Sequence, residues 1–183
     1  MKATAKSAQM PLGIHLFALA LILSSIAVLG TIILSIIDLI ALHYDILTIV
    51  ITIAFGTLFS VGLIIFLMRT RKLLLNKEEN AVGCAKLIFV LGFIMAFFGR
   101  GFPFPISQTG LNIDWRPIGF SLIWLVYFSM SKAVKTTFPT NNRKLRRVDW
   151  IFFVCLAALL VFSLPLGLIL GQTAVIHTPL PEH

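Results

Sequence analysis

Charge is what this sequence has least of. Asp, Glu, Lys and Arg make up 12% of its 183 residues, where a soluble domain carries roughly 25%. The shortfall excludes an ordinary water-facing surface over most of the chain. Acidic residues are scarcer still, 7 against 15 basic, for a formal net charge of +8. No basic groove interleaved with aromatic residues accompanies that excess, so nucleic acid is not expected as a partner. Cysteine is limited to Cys84 and Cys155. Both fall near cytoplasmic ends of the helices read below, which excludes a disulfide framework.

Sequence motifs of catalysis are missing too. There is no His-Glu-x-x-His, no Gly-x-Ser-x-Gly and no phosphate loop. His43, Asp45, Asp114, His177, Glu182 and His183 gather at one predicted face, but their spacing matches no metal motif. No catalytic residue, metal or cofactor is therefore assigned. A membrane enzyme using His43, Asp45 or His177 has no positive support. No Asp, Glu, Lys or Arg stands near the middle of an apolar run. That counts against a proton-coupled transporter or a voltage sensor, because such devices place charge in mid-membrane. No internal repeat is found either, and inverted-repeat transporters are built from repeats.

What the chain does have is apolar length. Hydrophobic residues make up 58%, including 16 Phe, and they fall in runs separated by short basic clusters. The runs predict transmembrane helices at about 12–37, 46–68, 82–99, 117–134 and 150–170. The first follows Lys2 and Lys6, as a signal peptide would. Its apolar run continues well past the roughly 7–15 residues of a signal h-region, so it reads as an uncleaved anchor. Pro117 suits a first helical turn and Pro165 predicts a kink. The expected fold is all-α: one membrane domain, a bundle of about five transmembrane helices.

Basic residues set the orientation. Lys2, Lys6, Arg69, Arg71, Lys72, Lys77, Lys86, Lys132, Lys135, Arg143, Lys144, Arg146 and Arg147 lie on one side, and only Arg100 and Arg116 on the other. The N-terminus is then cytoplasmic and the C-terminus periplasmic, with 135–149 a basic cytoplasmic loop. Membrane lipid is the first expected partner, since such clusters meet anionic head groups. Trp115 and Trp150 fall at predicted interfaces.

Three groups of residues are candidates for more than span-forming. Thr52, Gly56 and Ser60 continue from Thr48 at four-residue spacing on the second helix. Ala20, Ser24, Ala27, Thr31 and Ser35 make a similar stripe on the first. Small faces let helices approach closely in lipid, either within one bundle or against a partner or second copy. Ser121, Trp124, Tyr127 and Ser131 form a polar-edged face on the fourth helix. It predicts either interhelical hydrogen bonds or the wall of a small cavity. The loop from Arg100 to Arg116 is the largest external connection, and Phe102-Pro103-Phe104-Pro105 bars a regular helix there. Arg100, Phe102, Phe104 and Asp114 make it a candidate interaction loop.

Three segments carry a family resemblance: Pro11-Leu12-Gly13 with Leu21-Ile22-Leu23-Ser24; Arg69-Thr70-Arg71-Lys72; and Ile123-Trp124-Leu125-Val126-Tyr127-Phe128 followed by Ser131-Lys132-Ala133-Val134-Lys135-Thr136-Thr137-Phe138. They resemble the YdgK-type family of bacterial inner-membrane proteins, a family of unknown function. The family pattern usually has Arg where this chain has Ala133. The resemblance covers about 12–138 and implies a four-helix inner-membrane core. It supplies no reaction, ligand or catalytic residue.

The functional expectation is a binding or accessory protein, subunit-like or immunity-like, that acts by contact with another membrane component. The alternative is a small-molecule or lipid transporter, with an oligomer making up for the short chain.

Overall fold

The computed structural model describes residues 10–41, 46–98, 115–138 and 145–176. Among them every regular element is a helix: α1 (Leu12–Ala41), α2 (Ile46–Leu75), α3 (Ala81–Phe98), α4 (Trp115–Met130), α5 (Lys132–Thr137) and α6 (Arg147–Ile176). Two stretches, Leu12–Leu34 and Ile49–Leu75, are long and apolar enough to cross a membrane.

α1 packs against α2, α3 packs against α4, and α6 lies on both α2 and α3. The α2–α6 and α3–α4 pairs run antiparallel. Phe66 stacks on Phe152 at 5.7 Å, while Arg69, three residues on in α2, reaches Asp149, three residues back in α6. α3 and α4 behave alike: Phe89 meets Phe128 at 5.9 Å, and Gly92 meets Ser121. The start of α1, the end of α2, the start of α3, the end of α4 and the start of α6 therefore share one end of the bundle.

Helical periodicity selects the core. Ile14, Phe17, Ala18, Leu21 and Ser25 are buried at spacings of three and four on α1, while Leu12, Leu16, Leu19, Leu23 and Ile26 are exposed. Ser25 is tolerated inside because its hydroxyl donates to the Leu21 carbonyl at 2.8 Å. On α2 the buried face is Gly56, Phe59, Leu63, Phe66, Leu67, Thr70, Leu73 and Leu74. Gly56 of the expected small stripe is thus buried, with Thr52 and Ser60 half-buried. The stripe on α1 is placed otherwise: Ala20 is half-buried, while Ser24, Ala27 and Thr31 are exposed. Ile14, Phe17 and Leu21, with the small Ala18 and Ser25, make α1's inward face in place of that stripe.

Several helix ends differ from the sequence expectation, each for a local reason. α2 continues past Met68 to Leu75, because Leu73 and Leu74 are buried and the intervening Arg and Lys are good helix formers. It ends in a Schellman motif: Glu78 N donates to Leu73 O at 3.0 Å and Lys77 N to Leu74 O at 3.2 Å. Lys77 takes the left-handed position at φ 55°, where glycine is usual. The fourth helix does not run unbroken to Val134. It breaks at Ser131, which has ψ 125° and caps α5 with its side chain accepting from Val134 N. The break turns Val134 and Phe138 into the core. α6 starts at Arg147, its first turn closed by Asp149 N and Trp150 N donating to Arg146 O, and Pro165 does not end it.

Two glycines on α1 have opposite surroundings. A Cβ on Gly13 would fall on the Tyr127 phenol, 2.7 Å from its Cζ, whereas a Cβ on Gly30 would meet nothing within 4 Å. Gly13→Ala is expected to destabilise the protein by about 1–3 kcal/mol, the range for overpacking. Gly30→Ala is expected to be neutral or stabilising by up to about 1 kcal/mol, from helix propensity. Unfolding of the two variants in detergent checks the opposite signs.

Candidate functional site

The strongest polar constellation lies at the end of the bundle shared by α2, α3 and α6. Its centre is Asp149, whose side chain is only 1% exposed. Placing a carboxylate there follows from the start of α6: an acid in the first turn suits the helix dipole, and Val148 and Trp150 beside it face outward. One carboxylate oxygen, Oδ1, accepts from Arg69 Nε at 3.0 Å and lies 2.9 Å from Arg69 Nη2. The other, Oδ2, accepts from Asn80 Nδ2 at 2.6 Å. Three segments distant in sequence are thereby joined at one side chain. Both oxygens are engaged, which is the condition under which a buried carboxylate is tolerable.

Around this centre the polar groups follow local helix geometry. Asn80 stands just before α3 and is fully buried. Its carbonyl accepts from Cys84 N at 2.9 Å, and its Nδ2 lies 4.0 Å from Cys84 Sγ. Thr70, also fully buried, returns its hydroxyl to Phe66 O at 2.8 Å. Arg146 reaches Glu78 at 3.4 Å, with both partners partly exposed. That second pair contributes little, since exposed ion pairs are worth about 0–1 kcal/mol. Among the described residues, two buried side-chain atoms have no hydrogen-bond partner: Asn80 Oδ1 and Arg71 Nε.

A second constellation is aromatic. Phe17 stands 5.2 Å from Phe89, 5.0 Å from Trp124 and 5.0 Å from Phe128, by ring centroids. Trp124 and Phe128 each meet Tyr127 edge to face at 5.5 Å. Such pairs add about 0.5–1.5 kcal/mol each beyond the area they bury.

The residues expected to share one polar face of the fourth helix are therefore divided. Trp124 and Tyr127 belong to the ring cluster. Ser121 is buried with its Oγ 2.8 Å from where a Cβ of Gly92 would stand, so it seals the α3–α4 contact. Ser131 is a helix cap. The candidate interaction loop, with Arg100, Phe102, Phe104 and Asp114, lies outside the described residues, as do His43, Asp45, His177, Glu182 and His183. Among the described residues no three His, Cys, Asp or Glu side chains are grouped to hold a metal.

Sequence reasoning missed Asp149 and Asn80. One signal was available: Asp149 is the sole acid between Lys132 and Trp150, a stretch with six cations. A lone carboxylate beside an interfacial tryptophan and among like-signed neighbours is a candidate for pairing. Asn80 gave no such signal.

Comparison of the chain with protein-family models, with curated proteins and with solved structures returned no match.

The geometry of the centre predicts unequal costs for its two partners. Arg69 is 42% exposed and can rehydrate when Asp149 is removed. Asp149 cannot rehydrate when Arg69 is removed. Asp149→Leu should therefore cost about 1–2 kcal/mol, and Arg69→Met about 3 kcal/mol or more, toward the range for an orphaned buried charge. Unfolding of the detergent-solubilised variants measures this, and equal losses would contradict the assignment of Asp149 as the desolvated partner.

Proposed function

We propose that this chain is a multi-pass protein of the bacterial inner membrane, with five spans, a cytoplasmic N-terminus and a periplasmic C-terminus, that works by binding another membrane component. It fits a subunit-like or immunity-like accessory role, and the resemblance to the YdgK-type family is part of the same reading. α6 adds a third 30-residue helix to α1 and α2, and α3 and α4 are shorter apolar helices. Side chains such as Leu19, Leu23, Ile26, Leu58, Ile65, Ile123, Ile151 and Phe162 point outward, a surface suited to hydrocarbon and not to water.

The observation that carries the binding role is the small-residue face of α1. Ser24, Ala27 and Gly30 are exposed, and Gly30 has open space where a side chain would be. Among the described residues, none of these three belongs to the buried core. In lipid, apolar side chains gain little by meeting one another, so close backbone approach at small residues is what drives helix association. The reading is that a helix of another membrane protein, or of a second copy of this chain, packs there.

The test is native-membrane extraction of the tagged protein in polymer nanodiscs, with mass spectrometry of what stays bound. The double variant Ala27→Leu/Gly30→Leu should leave monomer unfolding unchanged and reduce the co-extracted membrane protein, or the second copy, at least tenfold. Undiminished retention would remove α1 as the contact and with it the main support for this function.

A further inference from the structure

We infer that the charged end of the bundle is a binding site for the phosphate of an anionic phospholipid, with Arg71 as its specific contact. The inference rests on the membrane reading above and names a ligand for a different face.

The described segments concentrate their charge at this end. Arg69, Arg71, Lys72 and Lys77 lie at or just past the end of α2, Lys86 in the second turn of α3, Lys132 and Lys135 on α5, and Arg146 and Arg147 at the start of α6. Nine cations there face three acids, Glu78, Glu79 and Asp149. Asp149 is taken by Arg69 and Asn80, and Glu78 by Arg146. Lys72, Lys132, Lys135 and Arg147 are exposed. The acids within reach thus leave a large positive excess.

Two features select a lipid phosphate over a soluble partner. First, the cations stand directly beside outward apolar side chains: Met68 precedes Arg69, Met130 stands two residues before Lys132, and Val148 and Ile151 follow Arg147. One molecule with an anionic head and an apolar tail matches that juxtaposition. Second, Arg71 Nε is buried and has no acceptor. Arg71 sits on the edge of α2's inward face, one turn from buried Leu67 and Leu74. A guanidinium N–H held at that depth is satisfied by an anionic oxygen, and phosphate oxygens match the guanidinium fork.

The experiment uses the full-length, delipidated protein in a neutral detergent, titrated with mixed phosphatidylglycerol and phosphatidylcholine and read by native mass spectrometry. Wild type should retain phosphatidylglycerol in preference. Arg71→Gln should lower that preference about fivefold, the equivalent of about 1 kcal/mol for one interfacial charge, at unchanged unfolding temperature. If Arg71→Gln does not fold, Arg71→Lys serves, since it keeps the charge and removes the Nε–H; its preference should also fall. Equal retention of the two lipids by wild type, or full preference in the Arg71 variants, overturns the site. Displacement of phosphatidylglycerol by inorganic phosphate alone overturns the lipid and assigns a soluble anion. Carbonate extraction separates the two readings: a protein that stays in the membrane pellet yet shows no lipid preference sinks only this site, whereas release into the supernatant sinks the membrane reading itself.

Discussion

The buried carboxylate of Asp149 is the constraint around which the rest of this bundle is arranged. A charge that is 1% exposed must find donors or forfeit several kcal/mol of hydration, roughly. It finds them on two other segments, Arg69 near the end of α2 and Asn80 at the entry to α3. Most other contacts between the described helices are apolar, and such contacts tolerate small slips and rotations. A bidentate demand with two donors from two segments does not. It sets how far α6 lies along α2, and so which residues stack above it: Phe66 on Phe152, and Gly62 against Leu156.

Glycine and aromatic residues divide the remaining work. Where the α2–α6 and α3–α4 pairs approach closely, a glycine faces a side chain: Gly62 faces Leu156, and Gly92 faces Ser121. Where three helices meet, rings fill the space, with Phe17 of α1 between Phe89 of α3 and Trp124 and Phe128 of α4. Gly13 joins the two devices by leaving room for the Tyr127 ring. Segments singled out by the family resemblance, Pro11-Leu12-Gly13 and the run through Trp124 to Phe128, therefore contact each other. Their sequence distinctness has a packing cause that needs no ligand.

Much of this was legible in the sequence, and the parts that were not share a reason. Helix positions follow from apolar runs, because hydrocarbon-compatible length is a local property of the chain. Helix ends are less local. The extension of α2 to Leu75 depends on Leu73 and Leu74 finding a core, and the break at Ser131 depends on Val134 and Phe138 doing so. Neither core is visible from the segment itself. The small stripes show the same limit. Spacing put Gly56 and Ala27 on equal terms, yet one is buried and the other exposed. A stripe says that two backbones can approach; it does not say whether the second belongs to the same chain. Asp149 was hidden because topology reasoning counts cations and passes over acids. Its partners lie 80 and 69 residues away.

The same end of the molecule thus carries two kinds of positive charge with different roles. Arg69 is committed inward, to the buried carboxylate of Asp149. Arg71, two residues on, is half-buried with a donor left over, and Lys72 is exposed. Successive positions on one helix turn by about 100°, so a basic run at a helix end necessarily distributes its charges around the axis. One of them can face the core, one the boundary and one the water. In Arg69-Thr70-Arg71-Lys72 the core-facing position is shared by Thr70, whose hydroxyl is satisfied within its own helix, and by the Arg69 head group, which is satisfied across the bundle. Counting such a run as a topology signal captures its total charge, while its register on the helix decides which cation is structural and which remains available to bind.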